Sequence, residues 1–442
     1  MMSDASGAGS PERHLADGRY VALCCVVGVI AGTIGSIFHL AINAFLLWPS
    51  HLRQMLDGSL LVICAALITM LITVTVVALV RHSAPEAGGS GIQEVEGAMV
   101  GLRQVRWARV LPVKFFGGIA SIGSGLVLGR EGPTIHIGAS VAAMFSDVLR
   151  TGRTDRSGLL AAGAGAGLAC AFNAPVAAIL FVIEETRSEF PYTFRTYMGV
   201  IAACLLATAM TEWIGGMGPD LSMSADAPPL LALPLFIVLG CLLGVIGVLF
   251  NAAVLRGLAF AATAQSRAPY VYPAVVGLFV GALLVLYPHS VTGGESLVPA
   301  LVAEQPGLVV LLLLLATARF FTTVASYSSG VPGGIFAPML SLAGCVGMAF
   351  AALVSAFGVD WGVVPAAFAI AAMGGLFTAS VRSPMVGVVL TVELTGAYAH
   401  TVPLLATCLA ASLVANWLGG KPIYEQLLAR TLENAESGKP AE

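Results

Sequence analysis

Long apolar stretches separated by short polar breaks run through the chain from about residue 20. The first two, Tyr20 to Trp48 and Ser59 to Val80, are long enough to form helices that cross a hydrocarbon layer about 30 Å thick, the first with tilt. Three more follow at residues 192–214, 229–255 and 271–287. The pattern predicts an all-α polytopic membrane protein.

Two polar interruptions do not fit ordinary membrane spans. Residues 86–97 (EAGGSGIQEVEG) are too polar and too few for a lipid-facing helix, yet they lie between apolar segments. Residues 129–133 place Arg130 and Glu131 among glycines inside apolar sequence. Irregular backbone at membrane depth is tolerated only where it is buried in protein or lines a cavity, and ionisable residues there mark ion paths. These segments therefore predict broken and re-entrant helices around an ion path.

Glu131 is the candidate functional residue of the second interruption. Glycines permit a tight backbone there, and Pro133 suits the first turn of a helix because it has no N–H to lose. Glu131 is thus expected where a helix begins, near N–H groups whose partial positive charge attracts anions. For Arg130 two interpretations stay open: it adds positive potential to the ion path, or it forms a structural ion pair that holds helices together.

The second half of the chain repeats features of the first. Pro175, Glu184 and Thr186 recur as Pro384, Glu393 and Thr395, at a constant spacing of 209 residues. A glycine-rich segment at residues 330–338 takes the place of residues 129–133. Duplicated halves that meet around broken helices are one way in which transporters build a central substrate site. We assign the halves to residues 19–215 and 229–430; the spacing alone leaves open whether they are parallel or inverted.

Composition supports the membrane assignment and excludes other classes. Of 442 residues, 57% are hydrophobic and 10% charged, whereas soluble proteins carry about 25% charged residues. The net charge of -3 gives no reason to expect a nucleic-acid partner. The eight cysteines lie in apolar sequence without C-x-x-C spacing, and no H-E-x-x-H occurs, so neither a metal site nor a cofactor is expected.

The polar residues outside the spans predict tails and sidedness. Residues 1–18 are expected to form a disordered cytoplasmic tail, and residues 431–442 a short polar tail. The positive-inside rule also places a basic cluster in the cytoplasm. The cluster consists of Arg103, Arg106, Arg109 and Lys114.

Four short motifs, in this order and at these spacings, resemble the CLC chloride channel/transporter family. They are Gly89-Ser90-Gly91-Ile92, Gly129-Arg130-Glu131-Gly132-Pro133, Gly333-Gly334-Ile335-Phe336-Ala337-Pro338 and Gly420-Lys421-Pro422-Ile423-Tyr424. The resemblance covers about residues 18 to 430. It implies the CLC fold with two inverted-topology repeats, a homodimer with one pore in each subunit, and four helix N-termini that point at a chloride ion.

The resemblance implies that Ser90, Ile335, Phe336 and Tyr424 bind chloride. Their chemistry suits a transported anion, because neutral hydroxyl and backbone N–H donors hold chloride without the tight binding of a full positive charge. The alternatives are that Ser90 caps a helix, that Ile335 and Phe336 are core residues, and that Tyr424 lies in an interfacial aromatic belt. The remaining motif residues are expected to support the site; they are Gly89, Gly91, Gly129, Arg130, Gly132, Pro133, Gly333 and Gly334.

Two glutamates are expected to handle protons. By resemblance, Glu131 is the gating glutamate, which competes with chloride when ionised, and Glu185 passes protons to and from the cytoplasm. Because acids are present at both positions, as in most proton-coupled members, the sequence predicts exchange of chloride for protons; a passive channel is the alternative. Glu185 could instead be a solvated or paired helix-end acid. Glu184 and Glu393 are expected to cap or brace helices.

Three further features bear on this interpretation: a departure from the family motif, the short C-terminus and a motif that also matches an enzyme. Gln93 replaces the proline that usually follows Gly-Ser-Gly-Ile in the family, so the helix start loses a fixed φ. The short polar C-terminus predicts a bacterial-type protein without cytoplasmic nucleotide-sensing domains, in the inner membrane, with both termini in the cytoplasm. An enzyme is not expected: Gly88-Gly89-Ser90-Gly91 matches an intramembrane serine protease pattern, but such a protease needs a histidine base, and only His39 and His136 lie within apolar sequence.

Overall fold

The computed structural model describes residues 11–185, 193–216, 221–223, 226–304, 307–358 and 361–436, with side chains from residue 17. Within these ranges the regular structure consists of α-helices, a few short 3-10 turns and two isolated β-bridges. The first-half helices are α1 (Pro11–Phe45), α2 (Trp48–Met55), α3 (Gly58–Ser83), α4 (Ile92–Met99), α5 (Trp107–Gly123), α6 (Glu131–Leu149), α7 (Arg153–Phe172), α8 (Pro175–Glu185) and α9 (Phe194–Gly215). The second-half helices are α10 (Leu233–Arg267), α11 (Val271–Leu286), α12 (Leu297–Glu304), α13 (Val309–Tyr327), α14 (Phe336–Ala356), α15 (Pro365–Val381), α16 (Pro384–Thr395), α17 (Thr401–Trp417) and α18 (Ile423–Glu436).

Membrane spans follow from helix length and apolar surface. Among the described residues, seven helical stretches are long and apolar enough to cross a bilayer. Their outward faces carry large apolar side chains, such as Leu71 at 64% exposure and Trp213 at 80% exposure. Apolar surface of this extent suits a hydrocarbon solvent rather than water. The predicted all-α polytopic class is confirmed.

The duplication is visible as matched helices. Helices α1 and α10 each have 35 residues, and each packs along a later helix of its own half, α9 or α17. Helix α6 packs on α7 as α14 packs on α15, and in these four helices most residues are buried. The two pairs therefore form the centre of the molecule, between the longer lipid-facing helices.

Small residues allow α6 and α7 to touch along their backbones. A Cβ atom at Gly138 would collide with the carbonyl oxygen of Gly163, and one at Gly163 with the carbonyl oxygen of Gly138. Gly167 lies equally close to the carbonyl oxygen of Thr134. In lipid, moving an apolar side chain from the acyl chains into a helix interface gives little hydrophobic gain. Helix association therefore depends on van der Waals contact, which this close approach provides. This close contact explains why α7 has glycine at positions 163 and 167.

Helices α8 and α16 cap each other's first turns. The Glu393 carboxylate, near the end of α16, accepts hydrogen bonds from the backbone N–H groups of Val176 (3.2 Å) and Ala177 (2.7 Å) at the start of α8. The Glu184 carboxylate, near the end of α8, accepts one from the Val386 N–H (3.0 Å) at the start of α16. The two equivalent helices therefore run antiparallel, as inverted halves require. The predicted bracing role of both glutamates is confirmed.

The termini depart from the predicted tails. Helix α1 begins at Pro11, so residues 11–18 are helical rather than disordered, and residues 1–10 lie outside the described ranges. Helix α18 continues through the predicted C-terminal tail as far as Glu436, and residues 437–442 lie outside the described ranges. Both differences have one cause: polar helical turns that extend beyond an apolar span give no apolar periodicity from which to predict them.

Candidate functional site

Three glycine-rich loops are joined by backbone hydrogen bonds at the centre of the molecule. Gly89 donates to the carbonyl of Val331 and accepts from the N–H of Gly333, both at 3.0 Å. Gly129 and Gly334 exchange two bonds, of 2.8 and 2.7 Å. These bonds tie together the segments that precede α4, α6 and α14. The N-termini of three helices from both halves therefore lie next to one another.

The fourth motif joins the same place through α18. This helix begins at Ile423 and packs on α4, and Tyr424 is fully buried. The ring of Tyr424 lies 5.6 Å from that of Phe336, which begins α14. The predicted convergence of the four motifs is confirmed. Because the first N–H groups of a helix have no partners within the helix, the cluster presents a concentration of partial positive charge.

The side chains predicted to bind an anion line this cluster. The hydroxyl groups of Ser90 and Tyr424 are buried and form no hydrogen bond with the described residues. Ser90 touches α6 directly, since a Cβ atom at Gly132 would collide with its Oγ. Buried hydroxyls without hydrogen-bond partners cost free energy, so the presence of two of them at one place marks a site suited to a polar ligand.

Ile335 and Phe336 present backbone rather than side chain to the cluster. Ile335 is the N-cap residue of α14 and has no side-chain cap, and both residues are buried. The Phe336 side chain packs among aromatic rings, with centroid distances of 5.0 to 6.2 Å; its neighbours are Phe172, Phe181, Phe377 and Tyr424. The two predicted roles of these residues are therefore compatible, because the side chains pack in the core while the backbone N–H groups lie at the start of the helix.

Lys114 corrects the predicted basic cluster. The sequence predicts it in the cytoplasm with the neighbouring arginines, but the side chain is fully buried and donates to the carbonyls of Ala87 (3.0 Å) and Gly89 (2.7 Å). The ammonium group therefore holds the loop that carries Ser90. The positive-inside rule counts Lys and Arg residues over a whole loop. It fails for Lys114 because this residue lies on a helix and its side chain turns into the protein.

Glu131 lies at the start of α6, as predicted. Its side chain is fully buried and occupies the space beside two glycines: a Cβ atom at Gly129 would collide with the carboxylate, and one at Gly334 would lie 3.4 Å from it. The backbone N–H of Ala337, in the first turn of α14, lies within reach of the carboxylate. A negative side chain thus occupies the anion-favouring end of a helix from the other half.

Arg130 turns away from Glu131 and makes its own contacts. Its guanidinium donates to the carbonyl of Ala171 (2.9 Å) and to the Glu295 carboxylate (3.2 Å), and also hydrogen-bonds to His39. The side chain is 4% exposed. Of the two interpretations of Arg130, the structure favours pairing, although the partner is Glu295 rather than the adjacent glutamate.

Glu185 lies at the end of α8, next to the start of α16. Its carboxylate accepts a hydrogen bond of 3.0 Å from Ser383, and it interacts electrostatically with Tyr424. It is half-buried, between the surface and the buried hydroxyl of Tyr424. This position fits a group that exchanges protons between solution and the interior. Arg187, an alternative partner, lies outside the described residues.

Gln93 and His136 border the Ser90 loop. Gln93 is the second residue of α4, and its side-chain amide oxygen, Oε1, is buried without a hydrogen bond to the described residues. A Cβ atom at Gly91, which has φ of +86°, would collide with the ring of His136. Within the described part of the chain, neither Ser90 Oγ nor His136 Nδ1 forms a hydrogen bond, so the two do not form the serine–histidine pair that a protease needs.

Sequence reasoning missed two parts of this site. Glu295 follows Gly293-Gly294 as a lone acid between apolar segments, and its partner Arg130 lies 165 residues earlier. Ser383, which binds Glu185, lies 198 residues after it. For Glu295 the available signal was a single acid between apolar segments, but such a signal does not name the partner.

Inverted repeats around broken helices, with hydroxyl donors and a carboxylate at their meeting point, define a membrane protein with an internal ion path. Comparison with known proteins identifies which one. The chain belongs to the voltage gated chloride channel family, whose family model matches residues 72–416.

The relatives and solved structures agree with this assignment. The chain is 44% identical to an H(+)/Cl(-) exchange transporter ClcA of Vibrio cholerae over 93% of this chain and 89% of the relative, and 40% identical to one of Yersinia pseudotuberculosis over 94% and 88%. A slow cyanobacterial Cl-/H+ antiporter has a TM-score of 0.89 at 37% identity, covering 94% of this chain and 98% of that chain. A eukaryotic CLC transporter gives 0.78 at 25% identity over 94% and 74%. The predicted CLC fold is confirmed.

Proposed function

We propose that this protein exchanges chloride for protons across a bacterial inner membrane. The observation that carries the proposal is the placement of the buried Glu131 carboxylate at the start of α14, beside the unpaired hydroxyls of the cluster. A carboxylate there occupies anion-binding space when ionised and releases it when protonated, so protonation and chloride occupancy are linked. The names of the relatives support exchange over the passive-channel alternative.

In this proposal Ser90, Tyr424 and the N–H groups of Ile335 and Phe336 hold chloride between α4, α14 and α18. Partial charges bind the ion firmly enough for it to enter and weakly enough for it to leave. Each protomer of a homodimer carries its own path, because all of these residues belong to one chain. Both termini lie in the cytoplasm, with the arginine-rich connections.

Glu131 and Glu185 divide the proton path. Glu131 exchanges protons at the outer end, where it competes with chloride, and Glu185 exchanges them at the cytoplasmic end. Electrostatic interactions of Tyr424 with both glutamates support a close approach of the proposed anion and proton paths. Proton and chloride movements in opposite directions follow if Glu131 yields its place to chloride when it takes up a proton and regains that place when it releases the proton.

The test uses purified protein in liposomes under a chloride gradient, with the voltage held at zero by valinomycin and potassium. We expect external pH to report uphill proton movement in the wild type. We expect Glu131→Ala to abolish proton movement while chloride still crosses, since alanine neither carries a proton nor occupies the anion site. Glu304→Gln, an exposed acid at the end of α12, is the control and should retain coupling. Chloride flux without pH change in the wild type would make the protein a channel.

A further inference from the structure

Glu295 lies at the outer end of the ion path and has no role in the function described so far. Its carboxylate is 3.2 Å from the Arg130 guanidinium, and its side chain is 41% exposed, whereas Arg130 is 4% exposed. One end of this pair thus faces solution and the other faces the protein. Arg130 is also adjacent in sequence to Glu131. The pair therefore connects solvent to the residue beside the buried carboxylate.

The pair is on the side of the molecule opposite the arginine-rich connections. The α4–α5 and α6–α7 connections lie together, because Trp107 (3.1 Å) and Arg156 both bond to Asp147. Helix α6 runs from Glu131 towards these connections, so its first residue points the other way. Positive charge marks the cytoplasmic side. Glu295 is therefore on the outer side.

A buried arginine fixes the loop that carries Glu295. Arg319, on α13, is fully buried and donates to the carbonyls of His289 (2.8 Å), Val291 (3.0 Å) and Thr292 (2.9 Å). Gly294 has φ of +81°, and a Cβ atom there would collide with the guanidinium of Arg319. The backbone before Glu295 is therefore held in one conformation, and the acid has a defined position.

A cavity of about 120 Å³ is lined by Glu295 at one side and by Ala337, at the start of α14, at another. Its polar lining comes from His39, Arg130, Glu295 and Ser341, and its wall includes Ala337, whose N–H faces the Glu131 carboxylate. A cavity of this size, with four polar side chains in a largely apolar wall, has room for several water molecules, each occupying roughly 30 Å³ in the liquid. Water in it would extend from the Glu295 carboxylate to Ala337, which lies beside the Glu131 carboxylate. Glu295 shares this cavity with His39 from α1 and Arg130 at the start of α6, and it interacts electrostatically with Glu131.

We propose that Glu295 is the outer proton relay of the exchanger, the group through which Glu131 exchanges protons with the outer solution. The Glu295 carboxylate takes a proton from hydronium in the outer water and becomes neutral. It then passes a proton through the cavity water to the Glu131 carboxylate, which becomes neutral while Glu295 regains its negative charge. The proposal rests on the exchange function proposed above.

Charge explains why a relay is needed at this place. Arg130 is a permanent cation at the outer mouth, and a cation repels an approaching hydronium ion. The negative charge of Glu295 compensates it, and the acid offers the proton an acceptor on the solvent side of the barrier. His39 shares Arg130 through a hydrogen bond and orients the guanidinium toward Glu295.

The test compares wild type with Glu295→Gln in membrane vesicles of uniform orientation, right-side-out and inverted, from a host without its own chloride exchanger. Glutamine still accepts a hydrogen bond from Arg130 but carries no proton. We expect proton and chloride fluxes to fall together by at least about tenfold at neutral outer pH, given the usual contribution of a positioned proton-transfer group. The loss should shrink as outer pH falls, because hydronium then reaches Glu131 directly, and the dependence on inner pH should not change.

Three further measurements separate a relay from other roles. Glu295→Asp should retain the wild-type outer-pH profile, and Glu304→Gln should match the wild type. In the Glu131→Ala background, Glu295→Gln should have no effect on chloride flux. A loss that is independent of outer pH and shrinks with added salt would show that Glu295 only neutralises Arg130, and would overturn the proposal. If Glu131→Ala itself kept proton coupling, the proposed function would fail whatever Glu295→Gln does.

Discussion

Adjacent residues in this protein serve opposite purposes because the backbone between them begins a helix. Arg130 is the N-cap residue of α6 and extends to Ala171 and Glu295, whereas Glu131 is the first helical residue and turns towards α14. The two side chains thus extend to different parts of the molecule, and Arg130 pairs with Glu295. In the exchange proposed above, this arrangement leaves the Glu131 carboxylate to compete with chloride.

At the cytoplasmic end, we expect Glu185→Gln to stop proton movement while chloride still crosses. The amide accepts the Ser383 hydrogen bond as the carboxylate does, so the local fold is retained, but it cannot take up a proton. The measurement is external pH and chloride efflux in liposomes at zero voltage.

Glu184→Gln is the matched control for this experiment. It changes the neighbouring acid, whose carboxylate caps α16 rather than facing Tyr424. We expect it to keep proton coupling. Equal loss of coupling in both variants would show that the helix end as a whole, rather than the Glu185 carboxyl group, is needed.

Residue identities were predictable where a motif names them and unpredictable where a distant partner decides. Ser90, Glu131 and Tyr424 stand in short motifs, and the structure places them together. Lys114 was predicted at the surface because its acceptors, the carbonyls of Ala87 and Gly89, carry no sequence signal. Glu295 lacks a motif for the same reason: its partner, Arg130, is remote in the sequence.

Helix ends carry most of the polar chemistry of this molecule. Four helix starts meet at the candidate anion site, and α8 and α16 satisfy each other's first turns with glutamates. In a bilayer, no water reaches these groups from the lipid, so each start must find an acceptor in the protein or a guest. Glutamates of the opposite half satisfy the starts of α8 and α16, whereas the start of α14 faces Glu131, which we propose alternates with chloride.

We expect Glu393→Gln to lower stability without changing coupling. Glutamine keeps one acceptor oxygen but loses the negative charge and one of two bonds to the first turn of α8, a loss of about 1–2 kcal/mol. The measurement is the thermal unfolding midpoint in detergent, with Glu304→Gln as the exposed control. A midpoint equal to that of the wild type would show that the Val176 and Ala177 bonds contribute nothing net.

Element boundaries were predictable where polarity changes at a helix end. Pro175 and Glu185 bound α8 as the sequence predicts, and the spans after residue 190 match α9 and α11 closely. Helix α10 extends to Arg267, beyond the predicted residue 255, because its last turns leave the apolar layer and lose the signal. The polar turn before α4 was correctly predicted as a broken helix.

At the scale of the whole molecule, the two halves are joined at the site rather than side by side. Gly89 and Gly129 of the first half bond to Val331, Gly333 and Gly334 of the second. Each half supplies part of the anion cluster, so the site exists only when both halves are folded and docked. The spacing of 209 residues revealed the duplication, but only the antiparallel packing of α8 and α16 distinguishes inverted from parallel halves.

We expect two protomers to work independently if the protein is a dimer. All residues of the candidate site belong to one chain, so a Glu131→Ala subunit should not affect its partner. The measurement mixes tagged wild-type and Glu131→Ala chains by co-expression, isolates mixed dimers through both tags, and records proton movement per protein. Half of the wild-type rate is expected; a rate near zero would show that the subunits share one proton path.

The reciprocal caps of α8 and α16 also bear on how such a protein could arise. Each helix needs a start with free N–H groups and a glutamate near its end, and each has both. Two identical copies of a single half, inserted in opposite orientations, would make the same contacts with each other. A gene for one half therefore already encodes the joint between two, and fusion of two such genes would have preserved it.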